Sequence, residues 1–201
     1  MIDLPTDLPA DIVPLSWLLG VWEGTGVIDY QAGGQAFAGE FAQRVSFSHD
    51  GQGHLNYTAN AWLLGEDGAR IPLVAESGYW RLARPATDAD PGPALLPPVA
   101  PATPPRTADD VEALRTADGA FEIEVALVHS DGISELYLGR VAGPRIDMAT
   151  DAVVRPAGAK AYTAATRLYG YVDGHLLWAW DVAALGGELS SHASARLARA
   201  D

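Results

Sequence analysis

The sequence predicts an all-β fold, an antiparallel up-and-down β-barrel of nine or ten short strands. Three observations predict it. Apolar and polar residues alternate with a period of two in most segments, the 21 glycines and 14 prolines supply frequent turns, and no segment has the pattern of a long helix. Closure into a barrel leaves no exposed strand edge, and a barrel of this size holds a cavity unless large side chains fill it.

The N-terminal arm, residues 1–14, is interrupted by three prolines and is expected to be irregular. The segment 14–19 then predicts one helical turn that closes an end of the barrel, with its proline near the first helical position. The first strand starts after Gly20. Further strands are predicted up to Phe47, over 54–61 and over 73–81, with turns at 49–51 and 65–68.

A change in composition interrupts this pattern at residues 84–108, which contain eight prolines. Neither a strand nor a helix tolerates that density of proline, so we expect an exposed loop inserted between two hairpin strands. A linker between two domains is the alternative. Because the same strand spacing continues on both sides of the loop, we expect residues 1–201 to form a single barrel domain.

The second half of the chain again alternates with a period of two. Asp173-Gly174 is a strong hairpin signal within it. The predicted strands run over 121–129, 135–141, 146–154, 162–171 and 176–182, and from about residue 191.

Composition excludes several partners and chemistries. The formal net charge of −13 repels phosphate backbones and anionic membranes, so neither nucleic acid nor a membrane is an expected partner. The absence of cysteine excludes disulfides and thiol catalysis. No run approaches the roughly 18 apolar residues of a membrane span, and the N-terminus lacks the pattern of a signal peptide, so a cytoplasmic location is expected.

Conventional catalytic motifs are absent from the sequence. It contains neither H-E-x-x-H nor G-x-S-x-G, and Gly24-Thr25-Gly26 is not followed by the helix that a phosphate-binding loop requires. The carboxylates fall on predicted outward positions or in turns, and nothing nominates a pair. The sequence therefore offers no acid–base machinery of its own.

Two histidines are candidates for a role inside the barrel. His129 lies on the apolar phase of its strand but next to a turn, which favours a satisfied histidine at the rim. His192 begins the final strand after a flexible Gly186-Gly187 approach, and a structural role is favoured for it from the sequence alone. The others are predicted to lie in turns or on the surface: His49, His54 and His175. A lone buried imidazole without partner ligands suits haem iron, because the porphyrin already supplies four nitrogens.

The glycine-flanked tryptophan near the start belongs to a set of motifs that runs almost end to end. Trp22 is expected to plug the closed end of the barrel, covered by Arg196 or Arg199 of the last strand in a cation–π contact. The motifs are Leu18-Leu19-Gly20-Val21-Trp22-Glu23-Gly24-Thr25-Gly26, Val45 to Gly51, Glu76-Ser77-Gly78-Tyr79-Trp80-Arg81, His129 to Glu135, Arg167-Leu168-Tyr169-Gly170, and His192 to Arg199. In order and spacing the chain resembles the nitrobindin family, haem-binding relatives of the fatty-acid-binding proteins.

This resemblance implies a ten-stranded, lipocalin-like barrel that holds one b-type haem per chain near its open end. It implies His192 as the axial ligand, with the opposite face of the iron open. Lys160 and Arg167 are candidates to reach a haem propionate. The implied activity is isomerisation of peroxynitrite to nitrate by ferric haem, together with binding of nitric oxide.

The chain departs from the family pattern around the expected pocket. Where relatives often have Tyr-Pro-Thr, this chain has Tyr30-Gln31-Ala32. Val74 stands where some relatives have a histidine, and Leu73 beside it and Val182 are also apolar cavity positions. The expected pocket is therefore more apolar, which equally suits an acyl chain.

Two other functions stay open at this point. One is a haem-free carrier of a small lipid or other apolar ligand, in which His192 is incidental. The other is a scaffold whose proline-rich loop binds a partner through Pro101-x-x-Pro104, a spacing that arises easily in such a tract. A homodimer is compatible with any of the three.

Overall fold

The computed structural model describes residues 8–32, 35–73, 75–100 and 106–200, and within these ranges it confirms the predicted barrel. Ten antiparallel strands form a closed ring, and one very short strand lies outside it. The strands are β1 (Gly20–Ala32), β2 (Gln35–Ser48), β3 (His54–Leu64), β4 (Arg70–Pro72), β5 (Glu76–Leu82), β6 (Phe121–His129), β7 (Ser134–Ala142), β8 (Arg145–Val154), β9 (Tyr162–Val172), β10 (His175–Ala184) and β11 (Ser190–Arg199). A 3₁₀ helix (Ala10–Leu18) precedes β1, and a short helix α1 (Ala108–Glu112) lies between β5 and β6.

The ring closes because β1 pairs with both β2 and β11, so the first and last strands are neighbours. From β11 the neighbours follow in reverse chain order to β5, which pairs with β3, and β3 pairs with β2. β4 pairs with the tip of β3. We call the end where β1 begins the closed end of the barrel, and the end where β11 begins the open end.

The closed end is sealed by the 3₁₀ helix and by Trp22. The helix buries three apolar side chains completely: Ile12, Leu15 and Leu18. The indole N–H of Trp22 donates a hydrogen bond to the carbonyl oxygen of Leu18 at 2.7 Å. The guanidinium carbon of Arg199 lies 5.7 Å from the centroid of the Trp22 ring, so Arg199 rather than Arg196 makes the cation–π contact.

Gly20 leaves room for this contact. Its φ of +122° is a backbone conformation that side chains disfavour. A Cβ at this position would also lie 3.0 Å from the Nε atom of Arg199. Glycine suits this position for its backbone conformation and for the room it leaves to Arg199.

Aromatic and aliphatic side chains fill the half of the barrel next to the closed end. Trp80 packs edge-on against Phe47 and Tyr169, with ring centroids 5.3 and 5.2 Å apart. The other largest fully buried side chains include Trp22, Tyr137, Leu55, Ile123, Ile146, Leu176 and Leu197. Because this half is packed, any interior space lies toward the open end.

The proline-rich loop connects β5 to β6 at the closed end. In its described part the chain forms no strand, and Arg106 makes an ion pair with Asp11 of the 3₁₀ helix at 3.3 Å. The helix α1 begins at the predicted end of the loop and was not anticipated. It forms because Thr107 and Asp110 make a capping box, in which each side chain accepts from the other residue's backbone N–H.

The strand predicted over 73–81 begins three residues later in the structure. Residues before it form β4, which continues the hairpin from β3, and β5 starts only at Glu76. The chain must leave the tip of β3 before it can pair with the body of the same strand. No helix in the described residues is long and apolar enough to cross a membrane.

Removal of the cation over Trp22 is expected to weaken the closed end. Arg199→Ala should lower the free energy of unfolding by about 0.5–1 kcal/mol, the usual size of a cation–π contact at an exposed site. Urea unfolding measures this. Arg196→Ala is the matched control, because Arg196 lies three residues before Arg199 on the same strand and contacts the ring of His175 at the surface. Equal effects of the two substitutions would contradict the assignment.

Candidate functional site

A cavity of about 420 Å³ occupies the open end of the barrel. Most of its wall is apolar or aromatic, and includes Ile28, Phe41, Leu73, Ile133, Trp178, Trp180 and Val182. Its polar lining residues include Gln43, Glu76, His129, Asp131, Lys160, Tyr162, Glu188 and His192. Such a cavity suits a largely apolar ligand that is oriented by a small number of polar contacts.

His192 reaches this cavity because β11 is bulged at that residue. Trp180 of β10 pairs with Ala193, but the next residue, Asp181, pairs with Ser191. His192 is therefore the extra residue of a β-bulge, a device that changes the direction of a side chain. Its imidazole packs between Tyr30 and Trp180, with ring centroids 5.1 and 5.6 Å away.

The imidazole of His192 has the properties of a metal ligand. It is partly buried, and this burial lowers its pKa, so the ring is neutral at pH 7. Among the described residues neither ring nitrogen makes a hydrogen bond. A neutral imidazole with a free nitrogen can coordinate a metal ion. The indole N–H of Trp180 beside it is also buried without an acceptor in the described part of the chain.

A network of buried ionic groups lies at the inner end of the cavity. Arg167 donates two hydrogen bonds to Glu76, from Nη1 to Oε2 at 2.8 Å and from Nη2 to Oε1 at 2.7 Å. Its Nε donates to the hydroxyl of Tyr137 at 3.0 Å, and its guanidinium carbon lies 4.2 Å from the centroid of the Trp180 ring. The hydroxyl of Tyr57 also donates to Glu76, at 3.1 Å.

Glu135 forms the second half of this network. Its side chain is fully buried, and it accepts hydrogen bonds from Tyr137 at 2.6 Å and from Tyr162. His129 lies 2.5 Å away, from Nε2 to Oε2 of Glu135, and its Nδ1 is 3.8 Å from Glu76. We call Glu76, His129, Glu135 and Arg167 with their tyrosine partners the ionic network.

The charges of the ionic network balance one another. Burial alone would raise the pKa of Glu76 and of Glu135, but Arg167 outweighs it for Glu76, and the hydrogen bond from His129 with the charge of Arg167 outweighs it for Glu135, so both pKa values are lowered. Burial works against charging His129, but its hydrogen bond to Glu135 and the charge of Glu76 raise its pKa. Two carboxylates therefore face two cations.

The residues predicted for the site fall into three groups. Leu73, Lys160, Val182 and His192 line the cavity, and Lys160 is exposed at its mouth. Arg167 is only 4% exposed and is committed to Glu76, so it is not at the mouth, where a haem propionate was expected to meet it. The glycine-flanked tryptophan motif (Gly20, Trp22, Gly24 and Gly26) lies on β1 toward the closed end.

Two predictions lie outside the described residues. These are Val74 as a cavity position, and the Pro101-x-x-Pro104 motif of the proline-rich loop.

The ionic network is the part of the site that sequence reasoning missed. The prediction that the carboxylates point outward or lie in turns is wrong for Glu76 and Glu135. Both follow the inward phase of their strands, since Glu76 is four residues before the buried Trp80 and Glu135 is two before the buried Tyr137. This two-residue alternation is the signal in the sequence by which both carboxylates could have been placed inside the barrel.

Comparison with known proteins gives a consistent result. Residues 11–199 match the family described as "THAP4-like, heme-binding beta-barrel domain". A protein named peroxynitrite isomerase from Leifsonia xyli subsp. xyli is 65% identical over 201 residues, and one from Clavibacter michiganensis subsp. michiganensis is 62% identical, each alignment covering 100% of both chains. The crystal structure of Rv2717c from M. tuberculosis is similar with a TM-score of 0.66 at 25% identity, covering 99% of this chain and 100% of that one.

The raised pKa of His129 predicts how stability depends on pH. A folded pKa above the ordinary 6.5 means that the stabilisation is complete below about pH 6.5 and is lost as pH rises through the raised value. The difference in free energy of unfolding between wild type and His129→Gln should therefore shrink with rising pH. Each unit of pKa difference is worth about 1.4 kcal/mol.

Urea unfolding of the cofactor-free protein between about pH 5.5 and 9 measures this difference. His175→Gln is the control for the loss of any imidazole. The ring of His175 contacts Arg196, and it contacts no carboxylate among the described residues. A difference that stays constant or grows with pH would show that the ionic network does not hold a proton on His129.

Proposed function

Since the chain belongs to the nitrobindin family, the THAP4-like haem-binding β-barrel domains, we propose that it isomerises peroxynitrite to nitrate at a ferric haem held by His192. We further propose that the haem is of the b type, that one is bound per chain, and that nitric oxide binds at the same iron. The observation that carries the proposal is the β-bulge, which turns a neutral imidazole into the apolar cavity.

The residues of the cavity fit a haem. His192 would provide one nitrogen ligand, and the porphyrin brings four nitrogens of its own. Tyr30 and Trp180 pack against the imidazole and fix its orientation. Lys160 at the mouth carries the positive charge that a propionate needs, and Arg167 is no longer a candidate because Glu76 occupies it.

The chain's own contribution to the reaction is the environment of the ligand. When bound, ferric haem supplies the iron centre at which the peroxide bond of peroxynitrite is broken and nitrate is formed. The apolar wall around Phe41, Trp178 and Val182 would exclude water from the bound ligand and confine it. No proton is gained or lost when the peroxynitrite anion becomes nitrate, so the ionic network is not required as an acid or base.

Domain organisation, assembly and location complete the proposal. We propose one barrel domain over residues 1–201, with the proline-rich loop outside the haem site, because no described residue of the loop lines the cavity. A homodimer and a cytoplasmic location stay predictions from the sequence.

A haem-free carrier of an apolar ligand is the competing function, and a visible spectrum separates the two. Titration of the cofactor-free protein with hemin should give a saturable Soret band at one haem per chain. His192→Ala should weaken hemin binding by more than about tenfold, because even loss of a group that only supports a metal ligand costs about 10–100-fold. His175→Ala at the closed end is the matched control and should bind as wild type does.

The reaction itself is tested by stopped-flow decay of peroxynitrite, with nitrate and nitrite measured as products. The reconstituted wild type should accelerate the decay and raise the nitrate yield, and reconstituted His175→Ala should do the same. Non-saturable hemin uptake by the wild type, or a co-purified lipid with no catalysed decay, would overturn the proposal in favour of the carrier.

The loop is expected to be dispensable for haem binding. Replacement of residues 86–104 by a short Gly-Ser linker keeps Arg106 and the Thr107 cap, and should change hemin affinity by less than about twofold. The reason is distance, because the loop joins β5 and β6 at the closed end. Soret titration of the variant measures this, and loss of the Soret band would mean that the loop contributes to the site.

A further inference from the structure

We propose that Glu76 is a specificity-determining residue, a built-in carboxylate that occupies Arg167 and keeps the acidic groups of ligands away from the inner end of the cavity. The inference rests on the proposed function only in taking this cavity as the ligand site. It concerns which ligands the cavity accepts and which way round they enter.

The first step is the burial of Arg167. Its side chain is 3% exposed, and a charge so far from water needs a paired counter-charge with good hydrogen bonds. Glu76 meets this need with both oxygens, at 2.7 and 2.8 Å, in the two-pronged geometry that guanidinium and carboxylate prefer. Glu76 therefore already occupies the edge of the guanidinium to which the carboxylate of a ligand would bind.

The second step is the position of Glu76 relative to the cavity. Glu76 lines the cavity wall, whereas Arg167 does not. The face of the guanidinium is covered by Trp180 and its Nε is bonded to Tyr137. Glu76 thus lies between the cavity and the two nitrogens it binds, and loss of its side chain would expose those nitrogens to a ligand.

The third step is electrostatic. With His129 protonated, the ionic network contains two carboxylates and two cations, so no cation is left over. A ligand carboxylate at the inner end would add an unpaired negative charge next to Glu76 in a water-poor cavity. At the mouth the exposed Lys160 offers a positive charge, beside the exposed carboxylates of Asp131 and Glu188. A ligand with one apolar and one acidic edge is therefore expected to enter with its apolar edge first.

The test uses the cofactor-free protein and two probes that differ only at the head group, cis-parinaric acid and its methyl ester. Fluorescence titration gives the affinity for each. In the wild type the preference for acid over ester should be small, because only the exposed Lys160 at the mouth favours the acidic head group. In Glu76→Ala the preference for acid over ester should rise by about tenfold or more, equivalent to about 1.4 kcal/mol. The ester controls for the space that the substitution creates.

Two variants show where a gain comes from. The double variant Glu76→Ala with Arg167→Met should lose the increased preference for acid over ester, because the guanidinium is gone. Glu124→Ala is the matched control, since it removes a carboxylate from the Arg81 pair on the outer face of the barrel and should leave the acid-to-ester ratio unchanged. The proposal is overturned if Glu76→Ala leaves the acid-to-ester ratio unchanged, which includes the case in which it gains acid and ester equally.

A second measurement covers the case in which Glu76→Ala folds poorly. Formate should then raise its melting temperature and refolding yield in a saturable manner, because the small carboxylate replaces the missing one. Formamide, of similar size but neutral, should not. Equal effects of the two additives would overturn the proposal. Because none of these measurements involves haem, their failure is distinguishable from failure of the hemin titration.

Discussion

The ion pair between Arg167 and Glu76 is the interaction on which the interior of this barrel depends. It joins β9 to β5, two strands that are not neighbours in the ring, and so braces the barrel across its width. Toward the closed end the interior is packed with aromatic rings, and toward the open end it is hollow. A buried guanidinium left without Glu76 would be strongly destabilising, so the boundary between packed and hollow halves is held in place by charge as well as by volume.

Much of the fold was accessible from the sequence because it depends on local patterns. Alternation with a period of two located the strands, and Asp173-Gly174 located a hairpin turn. The tryptophan at the head of β1 and the arginine near the end of β11 also have a local logic. Local patterns could not predict that Arg199 rather than Arg196 covers the tryptophan. That contact depends on the register between β1 and β11 and on the room that Gly20 leaves.

The site was less accessible because it is built from contacts between distant parts of the chain. Residues 91 positions apart form the Arg167–Glu76 pair, and no spacing rule connects them. The sequence predicts Arg167 as a candidate to reach a haem propionate; the structure pairs it with Glu76 inside the barrel instead. His192 was identified through family resemblance, whereas its direction depends on a bulge, and a bulge reverses the alternation on which sequence reasoning relies.

The pairing of the first and last strands also sets an order of events during synthesis. The imidazole proposed to hold the haem is on β11, and the tyrosine that packs against it is on β1, so neither can act before both strands have been made and have paired. A nascent chain that lacks its final strand has an open seam, with no wall on one side of the cavity and no ligand for iron. If His192 holds the haem as proposed, loading of the cofactor follows closure of the barrel between β1 and β11.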